Sequence, residues 1–339
     1  MLNEYNLQNK EINADLLRVS IKPQEKEIIA PFAPMLQGQG TNQLSTINSK
    51  GAAINAITGE ATIEKGTLKV FIDKYNELTA PLRPSTHKLL DICTIALTQQ
   101  NNYKDSSGTL NTTVNIPLER YMDLCGKPLT KSAKNKARAR VQEDLNTLYN
   151  ISLEWTENTG RKGKDGKKQP PKDFAKMRIC TAAAFKKGNI ILSFSAPMAE
   201  YLINAYIMQY PIKLLQVDER NPNAYHIGKK LLIHNSNAHN QSKGTASLIS
   251  IKKLLEAAPE IPTFEEVMAT DRHIDKRIIE ALEKALEPLP FVKWEYANSK
   301  GKPLTEEQLA NLDYSTFIKL YIKFDVIDKE TDTTDKGIN

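Results

Sequence analysis

Lys131-Ser132-Ala133-Lys134-Asn135-Lys136-Ala137-Arg138-Ala139-Arg140 carries five bases and no acid, and runs on through Val141, Leu145 and Leu148 into Ile151-Ser152-Leu153-Glu154-Trp155. Ala137, Val141, Leu145 and Leu148 recur at helical spacing, and the residues from Ile151 alternate as on a half-buried strand. The stretch therefore predicts a helix that is basic and small in its first half, anchored by its second half, and succeeded at once by a strand. Residues 271–296 repeat the plan. Arg272, His273, Lys276 and Arg277 lie at the entering end, Ile274, Ile278, Leu282 and Ala285 form one face, and Phe291-Val292-Lys293-Trp294-Glu295-Tyr296 alternates. Glu280 and Glu283 come after the bases, away from that end.

Outward from these two segments the order of elements repeats as well. Leu68, Val70 and Ile72 read as a strand, Leu89 to Leu97 as an apolar helix opened by Pro84, and Thr112–Ile116 as a short strand. Pro117 suits the first turn of a helix that ends at Gly126. In the second half, helix 225–233, strand 248–251 and a short helix to Ala258 precede the 271–287 helix, and a strand is expected over 316–324. Helices begin near 85, 117 and 131 and again near 221, 251 and 271. The offsets are alike, which predicts an internal duplication. The expected organisation is a flexible, Gly/Asn/Gln-rich arm over 1–65, a first domain over 66–187, a second over 188–325 and an acidic, disordered tail over 326–339.

Bulk composition narrows the class. A chain of 339 residues with 40% hydrophobic and 25% charged residues is that of an ordinary globular protein of two domains. Cys93, Cys125 and Cys180 form no CxxC pair and read as reduced, buried residues of a cytoplasmic protein. No apolar run is long enough for a membrane span, and the N-terminus lacks a signal-peptide pattern. There is no P-loop, because Gly228-Lys229-Lys230 lacks the preceding glycine and the subsequent Ser/Thr. There is no HExxH and no nucleophile elbow. His226, His234 and His239 do not show the two histidines flanking one hydrophobic residue that a rolling-circle nickase needs; His226 and His234 read as surface or capping residues. No catalytic residue, metal site or cofactor is expected.

Net charge is only +6, so position matters more than total. A groove-entering helix needs basic N-terminal turns to reach into a major groove of about 12 Å while its later turns stay packed. The candidate contacts in the first helix are Lys131, Lys134, Asn135, Lys136, Arg138 and Arg140. Arg161, Lys162, Lys164, Lys167 and Lys168 lie in a glycine-containing loop between the next two strands, where a wing would meet phosphates. In the second copy they are Arg272, His273, Lys276 and Arg277. Arg272 is suited to bidentate contact with guanine. A third helix with a hairpin after it, twice, predicts an α+β fold of tandem winged-helix domains with pseudo-two-fold internal duplication.

The pattern resembles the theta-type plasmid replication initiators. The resemblance covers roughly residues 66–325. It is carried by Thr79-Ala80-Pro81-Leu82 before the first long helix, by the Lys131–Arg140 helix, and by Asn221-Pro222-Asn223-Ala224-Tyr225 leading into Ile227-Gly228-Lys229-Lys230-Leu231-Leu232. The helical segment from Phe264 to Glu287 and the Trp294 strand complete it. The Asn-rich arm and the His234–Gln241 segment depart from the family's pattern. The resemblance implies binding of repeated duplex origin sequences, opening of an adjacent A·T-rich stretch, a homodimer through the N-terminal winged helix, and host helicase or initiator proteins as partners. A transcriptional regulator using the same domains is the alternative from residues alone, and a rolling-circle nicking enzyme a more distant one.

Overall fold

The alternation at Leu68, Val70 and Ile72 does form a strand, but others precede it. The computed structural model describes residues 17–18, 50, 52–65, 68–78, 82–99, 109–156, 174–204, 209–270, 273–310 and 312–326. Strand β1 (Leu17–Arg18) pairs with β10 (Gln209–Tyr210). Strands β2 (Ala53–Ile54), β3 (Ala61–Lys65) and β4 (Leu68–Ile72) form an antiparallel run, and β4 pairs with β6 (Ile151–Thr156), which pairs with β7 (Phe174–Arg178). The expected arm over 1–65 is thus too long: residues 53–65 belong to a five-stranded sheet of order β2-β3-β4-β6-β7. Its period of two explains why. Ala61, Ile63, Val70, Ile72, Ile151, Leu153 and Met177 are buried on one face, while Glu64 and Lys69 pair at 2.8 Å on the other.

The first compact unit ends at Gln216 and the second begins at Val217. Helix α1 (Pro84–Thr98) carries the core of the first unit and is buried almost all round, from Ser85 through Leu90 and again from Cys93 to Thr98 apart from one residue. Strand β5 (Thr113–Pro117) leads directly into α2 (Leu118–Leu124). That helix stops as expected: Gly126 has φ 64°, with Lys127 N–H on Met122 C=O and Gly126 N–H on Asp123 C=O. Helix α3 (Lys131–Tyr149) starts at Thr130, whose side chain accepts from the Ala133 N–H. Strands β8 (Cys180–Lys186) and β9 (Asn189–Phe194) then close a three-stranded sheet of order β5-β9-β8. Helix α4 (Ala196–Asn204) and α5 (Ile212–Leu215) finish the unit.

The expected boundary at 187/188 therefore falls inside a hairpin. Residues 190–194 do not open the second unit, because they pair with β5 and β8 of the first. Cys93, Cys125 and Cys180 are all buried thiols outside any disulfide. Desolvation pushes the Cys180 thiol up to about 12 and raises Cys93 further.

The second unit repeats the order. Helix α6 (Pro222–Ser236) has Asn221 as its cap and proline in its first turn. Asn221 also donates to the Lys284 C=O at 2.9 Å, fixing the start of α6 against the later helix. Helix α7 (Ala238–Ser242), strand β11 (Leu248–Ser250), α8 (Ile251–Ala257) and α9 (Phe264–Thr270) come next. A π-helical turn over Asp275–Ile279 then leads into α10 (Glu280–Leu286). Strands β12 (Val292–Ala297) and β13 (Tyr321–Val326) complete a sheet of order β11-β13-β12. Two short helices, α11 (Glu306–Ala310) and α12 (Tyr314–Phe317), lie between them in the chain. The strand expected over 316–324 starts later, because α12 occupies its first residues. The acidic tail lies outside the described residues.

With the five-stranded sheet, the β1–β10 pair and the helices α4, α5, α7, α9, α11 and α12 set aside, both units run helix, strand, helix, helix, strand, strand, and both place the last strand between the other two. That is the winged-helix order. The duplication expected from the sequence is one of topology, and the five-stranded sheet is an addition peculiar to the first unit. Among the described residues no helix is long and apolar enough to cross a membrane.

Candidate nucleic-acid interface

Helix α3 is split as its sequence implies. Ala137, Val141, Asp144, Leu145, Thr147 and Leu148 are buried, whereas Lys131, Asn135, Lys136 and Arg138 are exposed. The rear half is locked by a polar cluster as well as by apolar contact. Asp144 is wholly buried; its Oδ1 accepts from Thr86 Oγ1 at 2.6 Å and from Arg83 Nε at 3.1 Å. Burial raises its carboxyl above the usual range against the pull of Arg83 and Thr86. Arg83 Nη2 also reaches Glu143 at 2.6 Å. Two carboxylates of α3 are in this way held by one arginine beside α1.

The front half divides further. Lys134 is paired with Glu119 of α2, and Arg140 lies 3.8 Å from Glu143. Among the described residues Lys131 and Lys136 have no ion partner, and the guanidinium of Arg138 sits 5.7 Å from the Phe185 ring centroid. The free charge of the helix is therefore at Lys131, Lys136 and Arg138, with Asn135 beside them.

The wing is not where the sequence placed it. Arg161, Lys162, Lys164, Lys167 and Lys168 lie outside the described residues, but the strands that frame them, β6 and β7, belong to the five-stranded sheet. The winged-helix hairpin is β8–β9. Its two-residue turn is Lys187-Gly188, both with positive φ (50° and 79°), which matches the twist of the strands. Lys186 and Lys187 are exposed there, and the Gly188 C=O accepts from the Leu118 N–H at 2.9 Å, joining the turn to the start of α2. Sequence reasoning missed these two lysines. The available signal was Lys186-Lys187-Gly188-Asn189 between Phe185 and Ile190, a turn tetrad between apolar residues.

In the second unit His273 and Lys276 are exposed, while Arg272 lies outside the described residues. Arg277 is half-buried and its Nη1 donates to Thr270 Oγ1 at 2.9 Å, so it braces the end of α9 instead of facing outward. The helix begins at Ile274 rather than at 271. Its π turn inserts a residue and changes the helical phase of α10. Glu283 accordingly meets the Tyr296 hydroxyl at 2.9 Å and leaves the outer face on which its spacing placed it. The second wing starts at a turn that Asn298 organises. Its Oδ1 accepts from the N–H groups of Lys300 and Lys302 at 2.9 and 3.1 Å. Both lysines are exposed. Each unit thus offers a lysine pair at the turn after its fifth element.

His234 is an internal brace and not the surface residue expected. Its Nε2–H donates to the Thr245 and Leu248 carbonyls, both at 3.0 Å, and its Nδ1 accepts from Asn240 Nδ2 at 3.0 Å. His226 is buried in α6, edge-on to Tyr225. Among the described residues no three His, Cys, Asp or Glu side chains come together as a metal site.

Residues 71–218 match the family described as Initiator Replication protein, WH1. No curated protein sequence matches. Two crystal structures of domains 2 and 3 of RctB align with the chain, at 11% and 10% identity and TM-scores of 0.41 and 0.40. They cover 92% and 85% of this chain and 95% and 97% of theirs. The family match runs from strand β4 through the first wing to the unit boundary, so residues 71–218 are similar to the WH1 domain of initiator replication proteins.

Proposed function

We propose that this protein is a replication initiator that binds directly repeated duplex sequences at an origin through the third helix and wing of both units, and promotes opening of the neighbouring duplex. The observation that carries the reading is the division of α3. Its rear half is fixed by Asp144 and the apolar stripe, while Lys131, Asn135, Lys136 and Arg138 project with no carboxylate among them. Lysines at both wing turns would add sequence-independent affinity by counterion release. The protein works in the cytoplasm by binding rather than catalysis, with a homodimer through the first unit and host helicase or initiator proteins as partners of that step.

A footprint on DNA flanking the gene, with affinity measured across salt, tests this. The expected result is protection of direct repeats of roughly 20 base pairs and a log–log salt slope of about −5 to −9, the value for six to ten phosphate contacts. A slope near zero, or protection with no repeat, would sink it.

A further inference from the structure

Strand β8 is the outermost strand of its sheet. The two-residue turn makes Lys186 and Asn189 a hydrogen-bonded pair, and Ala184 then bonds inward to Ile191. The N–H and C=O groups of Ala183 and Phe185 point outward, and no described residue takes them. Edge strands are commonly guarded by charge, proline or a bulge. Here the exposed edge reads Thr181-Ala182-Ala183-Ala184-Phe185, with a bulge only at its start and lysine only at its end.

Along this edge runs the rear half of α3. Gln142, Leu145, Asn146 and Tyr149 face Ala183, Ala184 and Phe185 across a groove of about 230 Å³. An aromatic ring beneath an arginine walls each end. Arg138 lies over Phe185 and Arg178 over Tyr149, each 5.7 Å from the ring centroid. No carboxylate lines the groove, Tyr149 is 41% exposed, and the Gln142 amide makes no hydrogen bond to another described residue.

A free strand edge beside a helix, with a groove between, accepts an extended peptide as an added strand. The backbone ladder supplies affinity, and alternate side chains entering the groove supply selectivity. We propose that β8 and α3 form a docking site for an extended, acidic segment of another protein. Its backbone pairs with Ala183 and Phe185, its carboxylates meet Arg138 and Arg178, and a small apolar side chain rests on Leu145 between Gln142 and Asn146. Charge decides for an acidic occupant, because no carboxylate lines the groove, Arg138 at one end has no ion partner among the described residues, and Arg178 at the other, 3.5 Å from Asp73, can exchange that exposed pair for a carboxylate of the segment. The arginines also cover ring faces that a stacked base would need. The inference goes beyond the DNA reading and does not depend on it.

The test uses the full chain and a fluorescein-labelled peptide of alternating aspartate and valine, read by anisotropy. A lysine–valine peptide, an oligothymidine and origin DNA are measured in parallel. The aspartate peptide should bind about ten-fold more tightly than the lysine peptide. Gln142→Glu, an exposed helix change, should weaken it about five-fold or more while thermal stability stays as in the parent. Ala183→Pro, which removes an outward N–H, should abolish it. Equal binding of both peptides, no binding of the aspartate peptide, or indifference to Gln142→Glu overturns the proposal. So does oligothymidine binding that Gln142→Glu removes, which would assign the groove to unpaired bases. Self-association lost in Ala183→Pro would assign the edge to a second copy and overturn it equally. Failure on origin DNA alone would count against the DNA reading and not against this site.

Discussion

Asp144 fixes the pose of α3, because it is the one wholly buried carboxylate in a helix whose outer face is cationic. Removing one member of a buried pair costs more than the pair is worth, since the other charge stays behind. Glu143 still holds Arg83, so the loss should fall at the low end of the usual range. Asp144→Ala should lower stability by about 3 kcal/mol, read as a lower urea midpoint at unchanged slope. Asp144→Asn, which can still accept from Thr86, should lose less. An unshifted midpoint for Asp144→Ala would show that the cluster does not anchor the helix. His234 makes the second case. Its Nδ1 accepts from Asn240 and its Nε2–H donates to two carbonyls, a set that only the neutral ring completes. Desolvation first, and Lys253 and Lys230 after it, hold its pKa below 6.5 against the pull of the two carbonyls. The unfolded chain then takes up the proton first, so stability is full above 6.5 and falls as the pH drops below it. The parent should lose more thermal midpoint between pH 7.5 and pH 5.5 than His234→Gln does. Equal losses would remove His234 as the cause.

The helices of both units were legible in the sequence because their apolar stripes are long: Val141, Leu145 and Leu148 in one, Ile278, Leu282 and Ala285 in the other, all buried as the spacing implies. The wing was not legible, for two physical reasons. Strand β8 reads Cys-Thr-Ala-Ala-Ala-Phe-Lys, and small residues on an edge strand leave no alternation to detect. Strand β9, with Ile190 and Leu192 buried, does alternate, but a strand carries no mark of its partner, and the hairpin β6–β7 came first in the chain. The π turn at Asp275–Ile279 hid Glu283 in the same way, since a constant period of 3.6 cannot register an inserted residue. Placement of the wing has a measurable consequence. Replacing Lys186 and Lys187 by Ala should make the salt slope shallower by about 2, near 0.9 for each phosphate released. Replacing Lys162, Lys164, Lys167 and Lys168, which in the chain come between two strands of the other sheet, should change it less despite removing more charge. The opposite order would return the DNA-facing role to that loop.

At the scale of the whole chain the two units share an order of elements and a sheet order but not a distribution of charge. Helix α3 shows bases alone over its first ten residues, whereas the counterpart in the second unit mixes His273 and Lys276 with Asp275 and Glu280. The first is suited to phosphates of any sequence, and the second to fewer, more selective contacts. Joined in one chain, each unit raises the effective concentration of the other at a neighbouring groove. Separated units, cut between Gln216 and Val217 where the compact bodies divide, should therefore each bind an origin repeat far more weakly than the intact chain, and adding both together should not restore the affinity. The first fragment should keep most of the salt dependence, and the second most of the preference for the correct sequence, in a competition assay over a panel of altered sites. Inserting five base pairs between the two half-sites turns one groove by about half a helical turn. If both units read the repeat, affinity for the inserted site should drop to near that of the better fragment. An insertion that leaves the affinity of the intact chain unchanged would mean that one unit alone reads DNA, and the other would then be free for dimerisation or for contact with the replication machinery of the host.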